Sequence, residues 1–273
     1  MGGNSAGAVG VLTMLMLTAL TGCLGVAEDN SGPEMVTMNV HYEATSGTIL
    51  ERVQNQQTLT LDGVSLSFDF ARVTSKAGSM VSFTMDPGDD DEGSNAVTVS
   101  ANEQAEISYE FLTHGLFTVT LSATDEQNNT GTAQLTVRID KRIEWTQTNT
   151  NEPSVMVVDT LPDCDCPLPN TVALNSTVTN RNDLVPPNTP VTVTWTLVDA
   201  SEATRASHSE QIAEGQSGVW SHAENNVDAG EWRIEVAQGD NEQESLDVSH
   251  EVEILYAVIE SEPNPLEPPV EDE

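Results

Sequence analysis

Between residues 78 and 139, apolar and polar positions alternate in three segments. The first holds Met80, Val81, Phe83 and Met85, the second Leu116, Phe117, Val119 and Leu121, the third Ala133, Leu135, Val137 and Ile139. Period-two alternation between clusters of Gly, Pro, Asp and Asn predicts strands with one buried face. Upstream, residues 35–44, 57–61 and 65–70 predict further strands, the last two split by Asp62-Gly63, a hairpin-turn dipeptide. Downstream, strands are predicted at 154–159, 171–179, 190–198, 204–212, 218–223, 230–237 and 245–255, with turns at 182–183, 186–187 and 228–230. Residues 200–211 also admit a short helix, because Ala, Glu and Arg are frequent there.

The predicted fold class is all-β, two immunoglobulin-like β-sandwich domains in tandem after a leader. The first spans residues 35–140 and the second 154–256, with Trp195 and Trp232 as core aromatics of the second. Residues 141–153 form a linker, in which Trp145 either packs at the junction or extends a strand. Residues 257–273 are Pro-rich and acidic and predict a solvated, disordered tail.

The leader changes the expected address. Ala8 to Leu20 is an apolar run of 13 residues, shorter than the ~20 a membrane-spanning helix needs. It suits a signal-peptide core. Leu20-Thr-Gly-Cys23 follows at once and resembles the lipobox of prokaryotic lipoproteins. That resemblance implies a signal peptide over residues 1–22 and lipidation of Cys23. The n-region departs from the pattern, having no Lys or Arg. One short acyl chain anchors marginally, whereas the two chains of a diacylglyceryl group hold. Residues 23–34 read as a polar tether, and the exposed side faces outside the cytoplasm.

Charge narrows the partners. Nine basic residues face 44 acidic ones, a formal net charge of −35. Such a surface repels phosphate backbones, so nucleic acid is excluded as a partner. It also repels anionic headgroups, leaving membrane attachment to the lipid. Acidic surfaces stay soluble at high ionic strength, so adaptation to salt comes before a dedicated basic partner.

The alternating stretch carries a second resemblance. Val81 to Asp90, VSFTMDPGDD, is similar to the Trp-Asp-Phe-Gly-Asp-Gly region of polycystic kidney disease (PKD) repeat domains. Ile107 to Phe111, then His114 to Asp125 (HGLFTVTLSATD), resemble that family's Tyr…Gly-x-Tyr-x-Val-x-Leu-x-Val-x-Asp core. Met85, Pro87 and Asp90 depart from the first half of the pattern. The resemblance covers residues 64–140 and implies an immunoglobulin-like sandwich, usually non-catalytic, acting as a spacer or as a binder of proteins or glycans.

No catalytic signature emerges. Gly3-Asn-Ser-Ala-Gly7 matches a nucleophile elbow but lies in the leader with no preceding strand. His41, His114, His208, His222 and His250 are scattered, and His114 reads as a turn residue. No cofactor is expected apart from calcium, for which Asp86, Asp89, Asp90, Asp91 and Glu92 supply clustered hard oxygens without EF-hand spacing. Cys164 and Cys166 admit a local disulfide, free or intermolecular thiols, or a metal, in that order; two ligands are half a zinc site. Asn128-Asn-Thr130 and Asn175-Ser-Thr177 are glycosylation sequons. The expected function is a lipid-anchored, non-enzymatic surface protein with PKD-like and immunoglobulin-like modules, acting in adhesion, in binding a surface protein or glycan, or as a structural spacer. The alternative is an accessory subunit of an extracellular protease or glycoside hydrolase.

Overall fold

The computed structural model describes residues 34–89, 94–182, 190–225, 227–239 and 244–266. Among them there is no helix. The strands are β1 (Val36–Thr37), β2 (Ser46–Gln54), β3 (Gln57–Asp62), β4 (Val64–Asp69), β5 (Thr74–Ser75), β6 (Met80–Asp86), β7 (Val97–Ser100), β8 (Glu106–Phe111) and β9 (Gly115–Asp125). They continue with β10 (Thr130–Thr150), β11 (Met156–Asp159), β12 (Thr171–Asn180), β13 (Val191–Val198), β14 (Thr204–Ile212), β15 (Ser217–Glu224), β16 (Glu231–Gln238) and β17 (Leu246–Leu255).

β10 organises everything else. Its 21 residues are several times an ordinary strand and reach roughly 70 Å at ~3.3 Å per residue. Residues 130–139 pair with β9, 141–150 with β17, and 138–146 with β2 in parallel. A strand has two edges. Arg138 and Ile139 pair with both β9 and β2, so those two lie on opposite edges. Lys141 to Thr146 pair with both β17 and β2, so those also lie on opposite edges. Hence β9 and β17 follow one another along one edge of β10, and β2 crosses their meeting point on the other. One nine-stranded sheet therefore runs through both halves of the molecule.

Two cores form against that sheet. In the first, the alternating faces of β6, β9 and β10 meet β4 and β8, burying Phe68, Phe83, Phe111, Phe117, Val137 and Ile139. In the second, β10, β12, β15 and β17 face the four-stranded sheet β11–β16–β13–β14 over Trp145, Trp195, Trp220 and Trp232. Sheets stacked face to face with interdigitating inner side chains make a sandwich.

Several expectations need correction. Residues 141–150, expected as a linker, are strand, because alternate residues Ile143 and Trp145 are buried in the second core. Trp145 thus extends a strand. Asp62-Gly63 does not close a hairpin: β3 pairs with β2, and β4 pairs with β8 in another sheet. The hairpin lies one turn earlier at Asn55-Gln56, both with positive φ (49° and 66°), as a type I′ turn requires. Residues 204–212 form the strand expected there, and not the helix that residues 200–211 also admitted. The tail is also placed differently up to Leu266. Ser261 exchanges N–H···O=C and Oγ···H–N bonds with Thr136 (3.0 and 2.9 Å), and Asn264 bridges Tyr42 in both directions (3.0 and 2.9 Å). An extended Pro-rich chain keeps its backbone groups free; here Ser261 bonds the edge of β10 that β2 leaves open, and Asn264 bonds Tyr42. Residues 267–273 lie outside the described residues.

Candidate functional site

The polar chemistry concentrates where β9 begins and β17 ends, end to end beside Asp140 of β10. His114 directly precedes β9 and Tyr256 directly follows β17. The His114 Nδ1 and the Tyr256 hydroxyl lie 2.8 Å apart, and Nε2 lies 3.3 Å from the Asp159 carbonyl. A carbonyl only accepts, so Nε2 carries the proton and Nδ1 accepts from Tyr256. Burial, then the nearby Lys141 charge, lowers the His114 pKa. Burial, then the Asp140 charge, raises that of Tyr256, keeping its donor in place. His114 is therefore a neutral latch with both nitrogens engaged, and no lone pair is left for a substrate proton.

Asp140 completes the junction. One carboxylate oxygen accepts the Tyr256 backbone N–H (2.9 Å) and the other pairs with Arg138. Arg138 also holds Glu260 of the returning tail through two N–H donors (3.0 and 2.9 Å). Burial raises the Asp140 pKa more than the Tyr256 N–H and the Arg138 charge lower it. The loop after β11 closes the same corner: Cys164 and Cys166 are disulfide-bonded, with Cα atoms 5.2 Å apart, within the range such a bond spans. A Cβ on Gly115 would come within 2.8 Å of the Cys164 Sγ, so glycine lets this loop close. Sequence reasoning named Cys164, Cys166 and His114 but missed Tyr256, Asp140 and Arg138. The signal for Asp140 and Arg138 was Arg138-Ile-Asp-Lys141, charges inside a run that otherwise reads as strand; nothing in the sequence singled out Tyr256.

The second core holds another polar cluster. Ser176 Oγ accepts from Trp195 Nε1 (2.9 Å) and lies 2.9 Å from His250 Nδ1. The His250 ring stacks on Trp145 with centroids 5.0 Å apart. A serine beside a histidine has the parts of a nucleophile and its base, yet Ser176 and His250 are 0% and 1% exposed. No substrate reaches them. Burial holds the His250 pKa down to about 4, and its Nε2 has no partner.

The remaining predicted residues stay apart. Asp86 Oδ1 accepts the Gly88 N–H (3.0 Å); Asp89 accepts from the Asn95 amide (3.0 Å) and from the Tyr109 hydroxyl. Asp90, Asp91 and Glu92 lie outside the described residues, as does Cys23. Among the described residues no three His, Cys, Asp or Glu side chains gather as a metal would need. Asn128 is exposed at positive φ in the β9–β10 turn, and Asn175 is exposed on β12. His208 and His222 each face a tryptophan, Trp195 at 5.6 Å and Trp220 at 5.8 Å. None of the twelve Phe, Trp and Tyr side chains is exposed; Tyr42 and Tyr109 are half-buried and the rest buried.

No family model matches the chain, and no curated protein matches it. Solved structures do. One is a carbohydrate-binding module of the β-sandwich superfamily, described for promiscuous specificity: 10% identical, covering 81% of this chain and 92% of that one, TM-score 0.28. The CBM51-2 and INT domains of Clostridium perfringens ZmpB, with GlcNAc, are 11% identical over 61% of this chain and 45% of that one, TM-score 0.26. Bacteroides ovatus SGBP-B of a mixed-linkage glucan utilization locus, with a heptasaccharide, is 10% identical over 77% and 52%, TM-score 0.21. At these scores the likeness carries nothing about ligands.

Proposed function

We propose that this chain is a lipid-anchored cell-surface protein whose two immunoglobulin-like modules, the first PKD-like, form a stiff non-catalytic arm that binds a protein partner. The observation that carries the reading is β10. A flexible linker lets two modules reorient, whereas a strand shared by both cores, splinted by β2 and latched by His114–Tyr256, resists bending. A stiff arm suits holding a binding surface at a set distance from an anchor.

Two further points support it. The Ser176–His250 pair is buried and both ring nitrogens of His114 are engaged, so neither histidine is open to a substrate. An exposed aromatic face would give a sugar a flat apolar platform, and this chain keeps its rings inside, which favours a protein partner over a glycan. The test is capture from surface extracts with the mature chain, run beside a glycan array. The expected result is a retained protein and a silent array. Mass spectrometry of the native protein is expected to find an acylated Cys23 as the first residue; an uncleaved, unacylated terminus removes the address. Turnover of generic peptide or glycoside substrates by the purified protein overturns the non-catalytic reading.

A further inference from the structure

We infer that the β3–β11 edge of the second sandwich is a self-association surface, on which β3 pairs antiparallel with β3 of a second copy. Among the described residues β3 has β2 on one side and no strand on the other, and all six of its residues are exposed. Among the described residues β11 likewise pairs only with β16. The two free edges lie on the same side of the sandwich, since Gln56 of the β2–β3 turn donates to Ser154 just before β11. That side presents four aliphatic side chains to solvent, Leu59 (58%), Leu61 (44%), Val155 and Val157.

Proteins guard free edges with lysine, proline, inward charges or covering segments. Neither β3 nor β11 carries a lysine or a proline, their one charge each (Asp62 and Asp159) stands at the strand end, and among the described residues no strand covers either edge. Residues 53–61 (VQNQQTLTL) and 153–158 (PSVMVV) contain no charged residue, in a chain with a net charge of −35. A basic partner finds no acid on β3 before Asp62. A second copy fits. Pairing about Leu59 sets Leu59 against Leu59, Thr58 against Thr60 and Gln57 against Leu61, with Asp62 opposite Gln56 and no like charges facing. Each copy's remaining negative charge opposes the contact, so association strengthens as salt screens it.

Static light scattering on the full chain in mild non-ionic detergent tests this, from roughly 0.1 M to about 2 M salt. The expected result is a monomer at low salt and a dimer at high salt, with Leu59→Glu raising the dissociation constant about tenfold or more. Association through the leader or its lipid is unaffected by Leu59→Glu and so is told apart. Mild oxidation of Leu59→Cys is expected to yield a cross-linked dimer through that residue. Val219→Cys, equally exposed (55%) on the edge strand β15, is expected not to. A monomer at every salt, a dimer indifferent to Leu59→Glu, or cross-linking through position 219 as fast as through 59, overturns the proposal.

Discussion

The two sandwiches share a strand and differ in what fills them. All five phenylalanines lie in the first core, and all four tryptophans lie in the second. Phenylalanine brings no polar atom inside, so the rings that fill the first core need no hydrogen-bond partner, with Phe70 stacked on Phe83 at 4.9 Å and Phe111 against Phe117 at 5.0 Å. Tryptophan brings an N–H that needs an acceptor. Trp195 uses Ser176 and Trp232 uses the Asp228 carbonyl (2.9 Å). Ser176 in turn brings in His250. The second core is therefore a polar network embedded in apolar packing, and protons act on it.

In the first sandwich the titrating group sits at the rim. Asp125 closes the β9–β10 turn. Its burial pushes the pKa up, but the Ser75 hydroxyl and the Asn129 amide and N–H outweigh that and hold it down to about 2. The two halves thus answer acid in different windows.

The largest expected effect tests whether they unfold together. Phe117→Ala and Trp195→Ala each delete a large buried ring, and each is expected to cost about 3–5 kcal/mol. Because β10 belongs to both cores, calorimetry is expected to show one transition that either variant lowers. Two transitions, one moving with each variant, break the picture of a shared strand.

Acid titration comes next. The folded His250 pKa lies near 4, below its ordinary 6.5, so the unfolded chain takes up the proton first. The stability it reflects is fully present above about pH 6.5 and is lost as pH falls towards 4, about 3 kcal/mol in all. Every tryptophan reports on the second core, so fluorescence-monitored melts between pH 7 and 4 follow this loss, and His250→Phe is expected to flatten it.

Ser176→Ala sharpens the same point. It strips the acceptor from Trp195 and the partner from His250, and is expected to cost about 1–3 kcal/mol with little change in volume. Asp125→Asn should have the smallest effect. A folded pKa below the ordinary value means stability present above about pH 4 and lost as pH falls through 2. The variant is expected to melt slightly lower at neutral pH and to lose that acid-dependent step, without altering the pH 7 to 4 response.

Much of this was legible in the residues. The strands of the second sandwich follow alternation that any one of them shows by itself, as in Thr-Val-Thr-Trp-Thr-Leu-Val from 192 to 198. Inward positions are apolar because one face of each strand is buried, which is a local property of the chain. Trp195 and Trp232 could be placed in a core on that ground.

Pairing is not local, and there the tertiary structure decided. β2 was missed because its inward side chains serve two cores, Ile49 the first and Val53 the second, with Glu51 between them bonded to Lys141 (2.7 Å). Residues 141–150 read as linker because Thr, Gln and Asn outnumber apolar residues, yet strands on both edges pair with residues 141–146. The tail is held by Arg138 and Thr136, more than 120 residues away. The chain by itself determined which residues alternate, its −35 charge and where the rings can be buried. Which edge meets which, and so the continuity of β10 and the latch at His114–Tyr256, came only with the folded arrangement, because backbone hydrogen bonds carry no residue identity that names their partner.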